Sequence, residues 1–275
     1  MGSPVVTEFW PPPAKRPTVT YANCTVSAPT GFRPLHLDLH LPPGAGPFPV
    51  VLWVHGGGWQ EGSRVGLPDS VAPFGFHERL LARGYAVADV DYRLSLEAQY
   101  PAQLIDVQSA IRWLRHHRRQ LRLDPGRFAV LGESAGGHLA AMAGLVGEGD
   151  TAIQAVVNWY GVIDLVTPPG DPYPFTPPAL LLGGPPAERR DLAAWASPLH
   201  RVHAGAPPFL NMHGTNDQLV PFEQSERLAE ALRAQGVRCD LHPVPGADHC
   251  FVGCSDIGGL IEASADFLDD VFKGH

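Results

Sequence analysis

The segment Gly132-Glu133-Ser134-Ala135-Gly136 sets a serine between an apolar stretch, 127–131, and a run of small residues, 136–146. Where a strand turns abruptly into a helix, a serine at the turn has its hydroxyl pushed out at the strand's carboxyl end, and flanking glycines admit the tight backbone without a Cβ clash. Such a hydroxyl becomes a nucleophile once a base takes its proton. Gly246-Ala247-Asp248-His249 places a histidine on a loop after the segment 238–244. Upstream, the apolar stretch 208–213 runs into Gly214-Thr215-Asn216-Asp217, ahead of Val220-Pro221. Ser134, His249 and Asp217 are therefore the candidate nucleophile, general base and orienting acid of an acyl-transfer centre. Asp248 is the rival acid. As the direct neighbour of His249 it would have to fold back on itself to reach the ring's Nδ1, so Asp217 is preferred.

Acyl transfer also needs donors for the oxygen that becomes negative. His55-Gly56-Gly57-Gly58-Trp59 follows the continuous apolar run 49–54, and consecutive glycines leave backbone N–H groups uncovered. Gly57 and Gly58, with the N–H of Ala135 just after the nucleophile, are the predicted oxyanion donors, each worth about 2.7–4 kcal/mol. Trp59 adjoins them and is assigned to the substrate pocket, with bracing of the loop as its alternative role. Glu133 is costly to bury unless it is hydrogen-bonded, so it is expected to accept from neighbouring backbone or hydroxyl groups rather than to act as an acid. Arg93 and Asp106 are assigned no chemistry. They are expected to tie down the loops behind the glycines.

The elements that must position these groups follow from periodicity. Segments 18–27 and 35–41 read as an antiparallel hairpin. Thereafter strands at 50–54, 85–91, 127–131, 154–160, 208–213 and 238–244 alternate with helices near 73–83, 101–121, 136–146, 221–235 and 257–272. Such alternation implies parallel strands with right-handed crossovers, and it places every candidate residue at the carboxyl ends of the strands, where sheets of this class bind ligands. The spread of the candidates from His55 to His249 requires one core, so 1–275 is expected to be a single domain. Its first seventeen residues are proline-rich and are expected to form an irregular arm. Residues 161–206 break the rhythm: Pro168, Pro169, Pro172, Pro174, Pro177, Pro178, Pro185 and Pro186 are interleaved with Tyr173, Phe175 and Trp195. A loop-rich insertion of this length is expected to serve as a short lid.

Composition excludes several classes. A hydrophobic fraction of 44% supports a large core, yet no apolar run reaches the roughly 18 residues of a membrane span. A net charge of −8 argues against a nucleic-acid partner. The cluster Arg112, Arg115, His116, His117, Arg118 and Arg119 reads as the solvated face of a helix whose Ile105, Ile111, Leu114 and Leu121 point inward. No basic-then-apolar leader is visible, which gives a cytoplasmic expectation. Cys24, Cys239, Cys250 and Cys254 are accordingly expected as free thiols. Thirteen histidines raise the question of a metal, but neither His-Glu-x-x-His nor paired Cys-x-x-Cys occurs, so no metal and no cofactor are expected.

The chain resembles the α/β-hydrolase superfamily, and within it the hormone-sensitive-lipase-type carboxylesterases and the acetylxylan/feruloyl-type esterases. The likeness covers roughly 49–251 in four ordered blocks: His55 to Trp59; Asp91-Tyr92-Arg93-Leu94-Ser95 with Tyr100-Pro101-Ala102 and Asp106; Gly132 to Ala140; and His213 to Asp217 with Val220-Pro221 and His249. The hormone-sensitive-lipase pattern has Pro where Leu96 stands and carries an N-terminal helical cap of which this sequence is expected to be short, so the acetylxylan/feruloyl branch is the nearer likeness. The resemblance implies an α/β-hydrolase fold, a mostly parallel central sheet of about eight strands flanked by helices. It also implies a serine carboxylic-ester hydrolase working through an acyl-enzyme on short-acyl or small aromatic-acyl esters. The expected partner is a small-molecule ester, and a homo-oligomer is left open. The alternatives are an amide-type hydrolase on the same scaffold and, more remotely, a ligand-binding protein without catalysis.

Overall fold

Phe48–Val54 is apolar throughout, and Ala86–Val90 and Ala155–Trp159 are apolar but for Asp89 and Asn158 and buried at every position, the mark of strands covered on both faces. In the computed structural model, which describes residues 20–166 and 175–273, these segments are the interior of an eight-stranded sheet. The arm expected at 1–17 lies outside the described residues, as do Pro168, Pro169, Pro172, Tyr173 and Pro174 of the insertion. In chain order the strands are β1 (Tyr21–Ser27), β2 (Leu35–His40), β3 (Phe48–Val54), β4 (Ala86–Val90), β5 (Leu123–Glu133), β6 (Ala155–Trp159), β7 (Phe209–Gly214) and β8 (Cys239–Val244). Their order in space is β1-β2-β4-β3-β5-β6-β7-β8. β1 and β2 form the expected hairpin, and β2 also joins β4 antiparallel; every other pairing is parallel. This is the α/β-hydrolase fold.

Helices cover both faces because strand side chains alternate. Val50, Leu52 and Val54 belong to the core layer that α2 (Ala102–His116), α4 (Ala135–Val146) and α7 (Glu223–Ala234) cover, whereas Val51 and Trp53 belong to the layer under α1 (Phe76–Ala82) and α8 (Ile257–Lys273). α4 is buried on all sides from Ala135 to Leu145. Its alanines and glycines let it lie close to the sheet, where larger side chains would hold it off. The pairs Val54 with Gly132, Glu133 with Trp159, Trp159 with Met212 and Gly214 with Val244 bring the carboxyl ends of β3, β5, β6, β7 and β8 level. Residues that leave those ends therefore emerge together.

Three expectations need correction. The helix foreseen at 101–121 breaks at His117, after which α3 (Arg118–Leu121) makes a separate turn, and Ile105 is exposed while Leu104 and Val107 take the core positions. The arginine face is only partly solvated: Arg115 donates to the carbonyls of Asp150 at 2.8 Å and Ala152 at 2.5 Å and lies over the Phe128 ring. Finally, the insertion is more regular than its prolines suggest. Thr176 caps α5 (Pro177–Leu182) from outside a proline at the first turn, where a missing N–H costs nothing. α6 (Arg190–Trp195) and a 3₁₀ turn at Pro198–Arg201 follow, and Leu181, Leu182, Ala193 and Ala196 join the core over α2 and α4. All four cysteines are unpaired. Among the described residues no helix is long and apolar enough to cross a membrane.

Candidate active site

Ser134 occupies the turn between β5 and α4 with φ 52° and ψ −119°, a conformation that costs a non-glycine residue on the order of 1–3 kcal/mol. Its neighbours hold it there. The Ser134 N–H donates to Trp159 O at 2.9 Å, and its carbonyl receives the His138 N–H at 3.0 Å. A Cβ on Gly136 would run into the carbonyl oxygen of Val54. This position tolerates only glycine, because α4 starts against the end of β3.

His249 stands over the serine. Its Nε2 is 2.9 Å from Ser134 Oγ and its Nδ1 is 2.7 Å from Asp217 Oδ2. With Nδ1–H donating to the carboxylate, Nε2 is free to accept the serine proton. The ring is seated by Tyr160, whose ring lies edge-on 4.9 Å away, and its loop is anchored by Phe251, buried against Trp159 and Tyr160. Asp248 points elsewhere: its Oδ1 accepts the N–H groups of Gln218 at 2.9 Å and His249 at 2.7 Å, which caps the turn that carries the histidine. The carboxylate at the ring is that of Asp217.

Asp217 is itself held on every side. Oδ1 accepts the N–H groups of Leu219 at 2.9 Å and Val220 at 2.8 Å, and Oδ2 accepts from His249 and lies 3.2 Å from His213 Nε2. Burial alone would push its pKa up. The hydrogen bonds from His213, His249 and the Val220 N–H outweigh that effect and hold the carboxyl well below the usual range. His213 also reaches Val220 O at 2.8 Å through Nε2 and Ser225 Oγ at 2.7 Å through Nδ1. A carbonyl can only accept, so Nε2 carries the proton and Nδ1 accepts from the serine. The sequence reading gave His213 no role. A histidine closing an apolar strand four residues before the acid was the signal available.

The glycine loop after β3 is tied down from below. Glu133 Oε1 accepts the Gly56 N–H at 2.7 Å, as expected of a buried carboxylate at that place. The Tyr92 hydroxyl lies 3.0 Å from His55 O and 3.1 Å from Gly56 O, and the His55 ring stacks on Tyr92. Burial raises the pKa of Glu133, against the opposing pull of the Gly56 N–H and His249. Burial likewise lowers His55 to about 4. Tyr160 Oη is turned toward Glu133 and the Cys250 thiol without a well-formed hydrogen bond to either. Further back, Arg93 grips Asp106 with two bonds of 2.8 Å, the loop tie foreseen for this pair.

Above this base Gly57 (φ 95°) and Gly58 (φ 58°) turn through left-handed space. Among the described residues the N–H groups of Gly57, Gly58 and Ala135 find no acceptor. Pro177, at the start of α5, abuts Gly58, so the insertion borders the glycine loop. The pocket role expected for Trp59 gives way to bracing. Trp59 is only 2% exposed, its indole N–H donates to His138 Nδ1 at 3.2 Å, and His138 Nε2 donates to Ala196 O at 2.7 Å. Loop, elbow helix and insertion are thus joined through one neutral imidazole, whose pKa burial lowers to about 4.

A hydroxyl, a base aimed at it, an anchored acid and three unengaged N–H groups at the same sheet edge can carry out acyl transfer without a metal. A separate cluster could hold a metal. His40, His77 and Asp89 bring their ligand atoms within 4.8 Å of one another, on β2, α1 and β4, with β3 between those strands and the β5 that leads to the serine.

The family model described as BD-FAE matches residues 37–232, well over half of the sequence. The chain belongs to the BD-FAE family. Esterase LipC of Mycobacterium tuberculosis is 33% identical over 244 residues, covering 82% of this chain and 59% of that protein. The chain thus spans less than two thirds of the length of this relative. A carbohydrate esterase from gut microbiota, solved in truncated form, superposes with a TM-score of 0.80 at 27% identity over 94% of this chain and 98% of the other. The thermophilic esterase Est2 of Thermogutta terrifontis, solved with butyrate bound, gives 0.75 at 28% identity over 93% and 95%. A further form of that esterase is phosphoramylated by tabun.

Proposed function

We propose that this BD-FAE chain is a serine carboxylic-ester hydrolase acting through an acyl-enzyme on short-acyl esters. The observation that carries the reading is the unbroken relay from Ser134 Oγ through His249 to Asp217, at 2.9 Å and 2.7 Å. His249 takes the hydroxyl proton as Ser134 attacks the ester carbonyl, and the N–H groups of Gly57, Gly58 and Ala135 receive the oxygen that becomes negative. Collapse expels the alcohol, which takes the proton from His249, and leaves the acyl group on Ser134. Water, deprotonated by the same imidazole, then releases the acid and restores the serine. Asp217 keeps Nδ1–H toward itself throughout and stabilises the protonated ring.

Similarity to an esterase solved with butyrate and to a carbohydrate esterase supports a small acyl group and a polar alcohol. The insertion, with Pro177 against Gly58, is read as the lid over this site, and 1–275 as one domain. Turnover of p-nitrophenyl acetate, acetylated sugars, feruloyl esters and N-formyl amides, with mass analysis of the protein after an organophosphate, tests the proposal. Ester turnover that Ser134→Ala abolishes, with the adduct on the Ser134 peptide, is the expected result. Undiminished turnover by folded Ser134→Ala would end it, and faster turnover of N-formyl amides than of every ester would favour the amide-type reading.

A further inference from the structure

His40 closes β2, Asp89 lies in β4 beside it, and His77 projects from α1, which crosses that face of the sheet. Asp89 receives both rings: His40 Nε2 is 2.8 Å from Oδ2, and His77 Nε2 is 3.0 Å from each carboxylate oxygen. The rings stack at 4.3 Å, so both Nε2 atoms look the same way. His40 and Asp89 are buried, and His77 keeps 18% of its side chain exposed. His40 Nδ1 is buried with no partner.

We propose that His40, His77 and Asp89 form a divalent-metal site, suited to zinc, that ties α1 to the antiparallel edge of the sheet and lies outside the catalytic centre. Two imidazoles and a carboxylate on rigid elements are a donor set that zinc accepts, with water from the His77 side as the fourth ligand. A tetrahedral ion with bonds of about 2.0–2.1 Å spaces its ligand atoms about 3.3 Å apart. The two His–Asp separations of 2.8 Å and 3.0 Å need open by a few tenths of an ångström, and the two imidazole nitrogens, which lie within 4.8 Å of each other, settle to the same spacing. Metal binding moves each ring proton from Nε2 to Nδ1 and leaves both imidazoles neutral. At His40 the Nε2 bond to Asp89 is exchanged for the bond to the metal, and Nδ1, buried without a partner, carries the proton. Spacing motifs pass over this set, since the ligands come from two strands and a helix.

The test uses the full chain, stripped with a chelator and titrated with Co²⁺ while its visible absorption is followed, then with Zn²⁺ by calorimetry and thermal melting. One equivalent per chain, tetrahedral cobalt bands and a Tm raised by zinc are expected. His77→Ala, at the partly exposed ligand, should weaken binding by at least about a hundredfold, the upper range for loss of even a supporting group. His36→Ala, four residues before His40 on β2, should leave the stoichiometry at one. EDTA should lower Tm and leave ester turnover at assay temperature unchanged. Absence of saturable cobalt absorption, or a full equivalent retained by His77→Ala, would overturn the proposal and leave the trio as a hydrogen-bonded His-Asp-His clasp.

Discussion

Replacing Asp217 by asparagine changes one atom in a position where the hydrogen-bond partners of both carboxylate oxygens are known. The oxygen that accepts the Leu219 and Val220 N–H groups at 2.9 Å and 2.8 Å can remain an oxygen, because those donors orient the new amide. Its NH₂ then lands where Oδ2 was, 2.7 Å from His249 Nδ1. Two donors cannot face each other at that distance. The imidazole relieves the clash by taking the other tautomer, with its proton on Nε2, and Nε2–H can no longer accept from Ser134. The loss should approach that of a triad held in the wrong tautomer, about 10⁴-fold in kcat, or about 5.4 kcal/mol at 1.36 kcal/mol per decade. His213 keeps its bond to Val220 O, so the loop should stay folded. Initial rates on p-nitrophenyl acetate, with circular dichroism and Tm to establish folding, make the assay. Asp248→Asn should retain most of the turnover, since Asp248 bonds only backbone N–H groups around the turn. A folded Asp217→Asn with full activity, or an inactive Asp248→Asn, would refute the assignment of the acid.

Further outcomes follow from the same geometry. Gly57→Val puts a Cβ against the Glu61 carbonyl at a residue with φ 95°, so it should lower Tm through that strain and, in protein still folded at assay temperature, lower kcat about a hundredfold or more, as for loss of one oxyanion donor; kcat within a few fold of the parent would show that the Gly57 N–H is not used. Glu133→Gln keeps an acceptor for the Gly56 N–H and should retain much of the activity, while Glu133→Ala frees the loop and should cost at least tenfold in kcat, so equal rates for the two would remove Glu133 from the loop's support. His55 and His138 have folded-state pKa values lowered by burial to about 4, so the unfolded chain binds their protons first as pH falls from about 6.5. Their contribution is complete above about pH 6.5 and disappears by about pH 4; the raised pKa of Glu133 opposes it, two groups against one. Tm should fall across that window, and a flat profile would contradict the burial of the two rings. Acyl preference, measured as kcat/KM along a p-nitrophenyl ester series, should drop past butyryl, because each methylene that fits gains only about 0.8 kcal/mol and one that does not fit meets the wall; a steady rise to decanoyl would show an open acyl channel instead.

Ser134, the glycines after β3, the order of serine, acid and histidine, and the run of parallel strands were all legible in the sequence, because each rests on a local rule. Small residues permit the elbow, bare N–H groups require glycine, and unbroken apolar stretches mark strands covered on both faces. What the sequence could not weigh was competition among groups distant along the chain. Asp217 reaches the histidine while Asp248 caps its turn, a choice made where the ends of β7 and β8 meet. Trp59 turns inward because His138 Nδ1 accepts its indole N–H, and Nδ1 can do so because the ring's one proton sits on Nε2, where the carbonyl of Ala196 in the insertion accepts it. Ile105 yields its place in the core to Leu104 and Val107, since the direction from which α2 meets the sheet decides which side of it is buried. The trio of His40, His77 and Asp89 has no spacing that local pattern could register, and only the pairing of β2 with β4 beneath α1 brings the three together. Local backbone rules act over a few residues and survive in any context. Hydrogen-bond partnerships and burial depend on which elements the sheet places side by side, and that only the tertiary structure decides.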